Sequence, residues 1–428
     1  MAIVINGAAR SADADPSLIA LSPSAGPGPS AATHVFDTSV AAGPLEWEQL
    51  TGDWWGARTS LAEVGITFAP FVIVDWSKNV RGGLDTEGSA TRELFSFNAT
   101  IDLTKLLGLP SGKFYVDLHH QAGQNGSDEV GDYQFVGNWD ADGLTQISEL
   151  WFEYEFFDGL VRTKIGKVDA NWEFACTELG WEFVHGSASY PATNLVMPTY
   201  PDPAASMNVF VYPTDWLSLG FGLYDGALAE GVRTGARGPG TFFGDPADWY
   251  LIGEVGFQWA VGEAGLPGRA AVGGWHHTGT FDRFAGGQAK GTSGFHLVVD
   301  QMLWLAQPST DEEPAGLDNP GIGVFVQYDC ADPAVMSADH HINAGVTWRG
   351  PLPGRQRDLA GVAVSWIHFT DEPAAGLGDS YELAAEVMYK AYVIPSVAVQ
   401  PYVQYIVNPG GVGLRDAVNL GVRVTVNF

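Results

Sequence analysis

The sequence is short of cysteine and of long apolar runs. It has two cysteines among 428 residues, Cys176 and Cys330, which are too few for a disulfide framework. One bridge between them and two free thiols are both compatible with the sequence. No stretch of about eighteen uninterrupted apolar residues occurs, so the sequence excludes a membrane-spanning helix.

Basic residues are also scarce. Lys and Arg number 21 against 50 Asp and Glu, which gives a formal net charge of −29. Nucleic acids and anionic lipid headgroups bind basic surfaces, so the sequence argues against both as partners.

Glycine, proline and aromatic residues, in contrast, are plentiful. The chain has 54 Gly, 25 Pro and 12% aromatic residues, which favours many β-strands joined by turns. Residues 1–45 are rich in Ala, Ser, Pro and Gly and are predicted to form a disordered leader or linker. The chain begins with MAIVIN and lacks both a basic start and a sustained apolar segment, so its export signal is atypical.

Apolar and polar residues alternate from about residue 66 to the last residue. Near the C-terminus, Val422, Val424 and Val426 share one face of a predicted strand, and Arg423 and Thr425 share the other. About sixteen segments of about 8–13 residues repeat this pattern, and such a length crosses a bilayer at a tilt. The predicted strands begin near residues 66, 92, 112, 146, 160, 206, 216, 248, 269, 293, 321, 340, 358, 379, 396 and 417.

The predicted connections alternate in length. Residues 157–159 and 212–215 form tight turns, whereas residues 123–145, 169–205 and 225–247 form long loops. Short turns at one end and long loops at the other are typical of an outer-membrane β-barrel, whose apolar residues face lipid and whose polar residues face the lumen. A soluble β-rich protein is the alternative, because each strand pattern is weak when taken alone.

Four longer segments resemble one family of porins. Leu50–Phe68, Ile147–Ala175, Pro198–Gly226 and Gln400–Gly411 are similar to the corresponding parts of the OprB-type carbohydrate-selective porins. The resemblance covers nearly the whole chain. It implies an all-β fold, a closed antiparallel transmembrane β-barrel of about sixteen strands in the outer membrane of a Gram-negative-type bacterium. It further implies that sugars pass by diffusion, without catalytic residues or cofactors.

The resemblance also bears on the extent and the partners of the barrel. Residues 46–428 are expected to form the porin barrel, small neutral sugars to be its substrates, and outer-membrane lipids to surround it. Phe428 supplies the terminal phenylalanine that serves as a signal to the barrel-assembly machinery. A monomer and a homo-oligomer both stay open.

A short helix is predicted directly before the first strand. The run Arg58–Val64 favours a helix and follows the paired Trp54 and Trp55. The segment at residues 46–65 is expected either to plug the periplasmic mouth or to form an ordinary N-terminal cap. The two tryptophans suit a membrane interface.

The loop at residues 169–205 is where sugar contacts are expected. In diffusion porins the loop after this strand folds inward and narrows the lumen, and the resemblance implies the same here. A sugar filter needs flat aromatic faces for C–H surfaces and polar groups for hydroxyls. The loop offers Asp169, Asn171, Trp172, Trp181, Tyr200 and Asp202, and Glu153, Arg162 and Lys164 are expected on the opposite wall. Packing of the tryptophans against the barrel wall is the alternative.

Two other patterns bear on metal binding. Asn138, Asp140, Asp142 and Glu149 have the spacing of calcium-loop ligands. However, the first position is Asn rather than Asp and a strand pattern follows, so a turn-rich loop is the preferred interpretation. Three His–His pairs also occur, but neighbouring strand residues point to opposite faces, so one pair cannot chelate a metal.

The sequence therefore predicts a passive sugar porin rather than an enzyme. A secreted or periplasmic β-rich sugar-active enzyme, or a sugar-binding protein, is the alternative, since paired carboxylates can hydrolyse glycosides. The acids are dispersed along the chain, and no pattern fixes two of them at a defined separation, which disfavours that alternative.

Overall fold

The computed structural model describes residues 45–140, 142–237, 244, 248–309 and 314–428, so the predicted leader at 1–45 lies almost wholly outside the described residues. The strands are β1 (Ile66–Phe68), β2 (Phe71–Arg81), β3 (Ala90–Asp102), β4 (Gly112–Gly123), β5 (Leu144–Phe156), β6 (Val161–Val168), β7 (Ala204–Thr214), β8 (Leu217–Asp225), β9 (Trp249–Val261), β10 (Leu266–Asp282), β11 (Gln288–Leu305), β12 (Gly321–Ala331), β13 (Ala338–Arg349), β14 (Leu359–Phe369), β15 (Tyr381–Ile394), β16 (Val397–Val407) and β17 (Ala417–Asn427). The helices are α1 (Ala57–Glu63), α2 (Leu103–Leu107), α3 (Ser127–Val130), α4 (Ala170–Glu173) and α5 (Thr234–Arg237). Short 3-10 turns lie at Trp54–Gly56, Gly180–Glu182, Gly186–Ala188, Ala227–Glu230, Pro373–Ala375 and Pro409–Gly411.

The sheet closes on itself. Each strand from β2 to β17 pairs with the next in antiparallel order, and β17 also pairs with β2, so that Val424 faces Val74 and Asn427 faces Phe71. A closed sheet leaves no unpaired strand edge, and hydrocarbon could not solvate such an edge. The predicted closed antiparallel barrel is confirmed.

The first two strands are one strand of the wall. Both pair with β3 in the same register, with Ile66 of β1 facing Ile101 and Phe71 of β2 facing Ser96. Pro70 lies at the break and has no N–H to donate to the ladder. The seventeen named strands therefore form a sixteen-stranded wall, as the sequence pattern predicts.

Side chains alternate between the lumen and the outer surface. In β17, Asn419, Arg423 and Thr425 are buried and face inward, whereas Val418 and Leu420 face outward. The outward positions of the other strands present a band of exposed apolar residues that suits lipid. Its members include Val326, Ile342, Val346, Val362, Val364, Val387 and Val403.

The connections differ between the two ends of the barrel. At one end, called here the turn end, residues 157–160, 215–216 and 395–396 make short links. At the other, called the loop end, residues 124–143 and 169–203 make long ones. This rhythm of short and long connections matches the pattern expected from the sequence.

The N-terminal segment lies against the rim of the turn end. The N–H of Leu50 donates to the carbonyl of Asn427 at 2.7 Å, and Arg58 donates to the Phe428 carbonyl at 2.9 Å. The Trp54 ring lies 6.0 Å from that of Phe68, which faces outward. The predicted helix is present as α1, and a plugging role for the segment stays a prediction.

Two further expectations can be compared with the structure. No helix among the described residues is long and apolar enough to cross a membrane. Cys176 and Cys330 are both free thiols in the structure, which is the second of the two alternatives left by the sequence.

We expect the barrel to resist detergent until it is heated. The unboiled protein should migrate differently from the boiled protein on a detergent gel, because a closed sheet has no edge from which unfolding can start. Its circular dichroism spectrum should be β-rich. A helical spectrum, or release into the aqueous fraction without detergent, would contradict this architecture.

Candidate functional site

The connection between β6 and β7, residues 169–203, turns into the lumen, and almost all of its side chains are buried. Inward-facing side chains of distant strands bind its backbone. Glu254 of β9 accepts from the N–H of Ala175 at 2.9 Å, and Asn343 of β13 donates to the carbonyl of Ala188 at 2.6 Å. The loop is therefore held by the wall along its length.

The tip of this loop reaches the wall opposite to its origin. Glu182 pairs with Lys390 of β15 at 3.1 Å, and the Glu182 carbonyl accepts from Gln400 of β16 at 2.7 Å. Counting round the barrel, β15 lies nine strands from β6 in one direction and seven in the other. The loop bridges the lumen and divides it into two sides.

One side of the divided lumen is filled by apolar packing. The loop residues Phe174, Tyr190 and Met197 share a buried cluster with Phe210, Tyr250 and Trp275 of the wall. Nearer the tip, Leu179, Phe183 and Val184 share a second cluster with Met302, Phe325 and Met388. This packing fixes the loop against the wall along its length.

An opening lies between the loop tip and strands β2 and β15–β17. It is lined by Ile73, Trp181, Glu182, Lys390, Gln400, Arg423 and Thr425. Trp181 packs on Trp172 with ring centroids 4.0 Å apart. The Nε1 of Trp181 is buried and has no hydrogen-bond partner among the described residues.

The charges around the opening occur in pairs. Lys390 pairs with Glu182, which also pairs with Arg349 at 2.6 Å. Arg423 pairs with Asp75 at 2.9 Å. Each cation of the lining thus lies beside a carboxylate, and Glu182 and Asp75 are each shared by two cations, although the whole chain is strongly acidic.

Three predicted site residues instead fix the start of the loop to the near wall. Arg162 pairs with Glu153 at 2.9 Å and with Glu173 of α4 at 2.7 Å, and Lys164 also pairs with Glu173. Burial alone would raise the pKa of Glu173, but the two cations outweigh burial and lower its pKa to about 2. Glu153, Arg162 and Lys164 were expected on the wall opposite the loop, and the structure places them in this network.

Asp169 and Asn171 lie where the loop begins. The buried Asp169 carboxylate accepts from Thr199 Oγ1 at 2.5 Å and from the N–H of Tyr200 at 2.8 Å, so it joins the start of the loop to its end. Asn171 donates to the carbonyl of Phe174 at 3.2 Å. Neither side chain lines the opening.

Tyr200 and Asp202 lie at the other end of the loop. The Tyr200 ring is fully buried and meets the edge of Trp139 at 4.8 Å, and Asp202 accepts from Arg233 at 3.4 Å. Of the nine residues predicted to contact sugar, the structure brings Trp181 to the opening and Trp172 against it.

A second inward loop, residues 124–143, was not foreseen. Its backbone is bound by β15 and β16: Glu382 accepts from the N–H of Tyr133 at 2.8 Å, and Gln404 donates to the carbonyl of Val136 at 2.8 Å. The sequence indicated only a turn-rich loop, since no periodic pattern distinguishes an inward loop from an outward one.

The calcium-loop residues within and after this loop do not converge on one point. Arg423 donates to Asn138 at 2.6 Å and Arg92 pairs with Asp140 at 2.5 Å, so cations already occupy these oxygens. Asp142 is 94% exposed, whereas Glu149 accepts from Trp151 on β5. Among the described residues, no group of three or more His, Cys, Asp or Glu is arranged to hold a metal ion.

Glu182, Lys390, Gln400 and Arg423 line the opening but were absent from the predicted contacts with sugar. The period of two could have found part of this set, because it places Gln400 and Arg423 on the inward faces of their strands. It does not show which inward residues lie beside the tip of a long loop.

Comparison with known proteins gives one family and one fold. The family model described as "Carbohydrate-selective porin, OprB family" matches residues 86–428. Porin B of Pseudomonas aeruginosa is 24% identical over 421 residues, which cover 89% of this chain and 91% of that protein. The high-pH structure of Pseudomonas putida OprB has a TM-score of 0.78 at 20% identity, and the low-pH structure has 0.59 at 17%; each match covers 90% of this chain and 99% of the other. The likeness to the solved structures shows a shared fold.

We expect Glu173→Gln to loosen the loop. The change leaves Arg162 and Lys164 buried without one of their carboxylates, and breaking a buried ion pair costs about 3–5 kcal/mol. Single-channel currents should become noisy, and the temperature at which gel migration changes should fall. Glu178→Gln is the matched control, because Glu178 belongs to the same loop but is about half exposed, at 49%.

The pH dependence of this anchor follows from the lowered pKa of Glu173. Because the folded-state pKa is near 2 and the ordinary value is 4.5, the stabilisation is complete above about pH 4.5 and is lost as the pH falls towards 2. Currents of the wild type should stay quiet from pH 7 to pH 5. A Glu173→Gln channel as quiet and as heat-resistant as the wild type would disprove the anchoring role.

Proposed function

The chain belongs to the carbohydrate-selective porin, OprB family, and from this membership we propose that neutral mono- and small oligosaccharides diffuse through the opening beside Trp181. The protein is a sugar-selective porin of the Gram-negative outer membrane. Its family and fold indicate a channel rather than an enzyme.

The chemistry of the opening supports the passage of sugars. Trp181 lines the opening, where the edge of its indole ring can meet the C–H face of a pyranose. Gln400 adds an amide at the same opening. Trp172 packs on the Trp181 ring and is proposed to hold it in place, and the direct stacking on sugar expected of Trp172 stays a prediction.

The paired charges favour neutral solutes over ions. A free cation at the opening would attract anionic sugars, but Lys390 and Arg423 each lie beside a carboxylate. A neutral sugar carries no net charge that either member of these pairs would attract or repel.

The proposal extends to the surroundings of the barrel. The outward apolar band suits the acyl chains of outer-membrane lipids. Phe428 is proposed as the element read by the barrel-assembly machinery. Its N–H donates to the carbonyl of Pro70 at 2.9 Å, so the C-terminus is fixed at the turn end of the barrel.

We expect Trp181→Ala to weaken the interaction with sugar. Loss of about 0.5–1.5 kcal/mol of aromatic contact should raise the glucose concentration that halves the ion current by about 2- to 10-fold. Conductance should also rise, since the side chain lines the opening. Trp216→Ala is the control, because Trp216 is exposed and stacks on Phe257 on the outer surface. Unchanged conductance and unchanged block by glucose in Trp181→Ala would remove Trp181 from the path.

We also expect glucose to enter liposomes that contain the porin faster than gluconate does. Acids exceed bases 50 to 21 over the chain, so the approach to the opening should repel anions. The difference should shrink between about 0.01 M and 1 M salt, as the Debye length falls from about 30 Å to about 3 Å. Swelling that is equal or faster with gluconate at low salt would show that Lys390 and Arg423 dominate.

A further inference from the structure

Three inward-facing carboxylates hold the two inward loops by the same arrangement. Each accepts hydrogen bonds from the backbone N–H groups of two successive loop residues, and all three are buried. Asp300 of β11 binds Glu178 and Leu179 at 3.1 and 3.0 Å, Glu386 of β15 binds Val184 and His185 at 2.9 and 2.7 Å, and Glu382 of β15 binds Tyr133 and Gln134 at 2.8 and 3.0 Å.

Glu386 shares its strand with Lys390, which lines the opening and pairs with the loop tip. The residues that Glu386 binds follow Glu182 by two and three positions, and Glu182 itself lines the opening. Four residues further along β15, Lys390 pairs with Glu182. Glu386 and Lys390, two inward-facing residues of β15, therefore fix the position of the loop tip along the strand.

We propose that Glu386 is the positioning residue that sets the width of the opening and the placement of Trp181. The proposal rests on the proposed function for its sugar readout, although the width of the opening can be measured without sugar. Glu386 lines neither the opening nor the path, so its effect is transmitted through the loop backbone.

The chemistry of this contact requires a carboxylate. Besides the two N–H groups, the amide of Gln404 donates to Glu386 at 2.9 Å, so three donors point at two oxygens. Glu386→Gln keeps the shape of the side chain but replaces one oxygen by a nitrogen that only donates. Donor then faces donor, and at least one backbone N–H of the loop tip loses its partner.

The test compares Glu386→Gln with the wild type in planar bilayers. We expect higher conductance, a larger size limit for polyethylene glycols that enter the channel, and half-block by glucose at about threefold higher concentration or more. Glu386→Asp keeps both oxygens and should recover part of each change. Heat-dependent gel migration should be retained, because no strand pairing is altered.

Glu254→Gln is the matched control. Glu254 also accepts a backbone N–H of the same loop, but at Ala175, six residues before Trp181 and on the side filled by apolar packing. It should leave the polymer limit and the block by glucose within about twofold of the wild type. Equal effects of the two Gln variants would overturn the proposal, since general loosening of the loop would then explain both.

A wild-type polymer limit in Glu386→Gln would overturn the proposal as well. A wild-type channel that glucose does not block at any concentration would instead contradict the proposed function. The polymer limits of the two variants would still decide whether Glu386 sets the width of the opening.

Discussion

A strand surrounded by hydrocarbon can satisfy its backbone polar groups only by pairing on both sides, and the pairing of β17 with β2 provides this for the last and first strands of the wall. Closure separates the two faces of every strand. Outward positions meet lipid and are apolar, whereas inward positions are shielded and carry polar and charged side chains. These inward polar and charged side chains can bind loops that fold into the lumen.

The same requirement applies to the loops inside the barrel. A loop in a lumen buries backbone N–H groups that no ladder satisfies, and unpaired buried donors are costly. The wall supplies partners for the loop backbone: Glu386 accepts from its N–H groups, and Gln400 donates to one of its carbonyls. Glu173 fixes the start of the loop to the wall beside β6. The wall side chains that hold the loop therefore also shape the opening.

The sequence predicted the wall well and the opening poorly, for a physical reason. Alternation is a local signal, so every predicted strand start lies within five residues of the observed one, and the largest difference is at β11. The structure also turns the loop at residues 169–203 into the lumen and has Trp181 line the opening. The partners of Arg162 and Asp169 could not be predicted, because a residue's face follows from period two, whereas its neighbour across the lumen depends on how far a loop reaches. Loop 124–143 was missed for the same reason.

Attachment of the loops through main-chain amides has a consequence for how the sequence can vary over time. A carboxylate that binds an N–H group is indifferent to the side chain beside it, so Val184 and His185 can be exchanged for other residues of suitable size without loss of the contact. Proline is the exception, because it has no N–H. These hydrogen bonds therefore constrain the wall carboxylate, whereas the side chains of the loop residues are constrained by their packing alone.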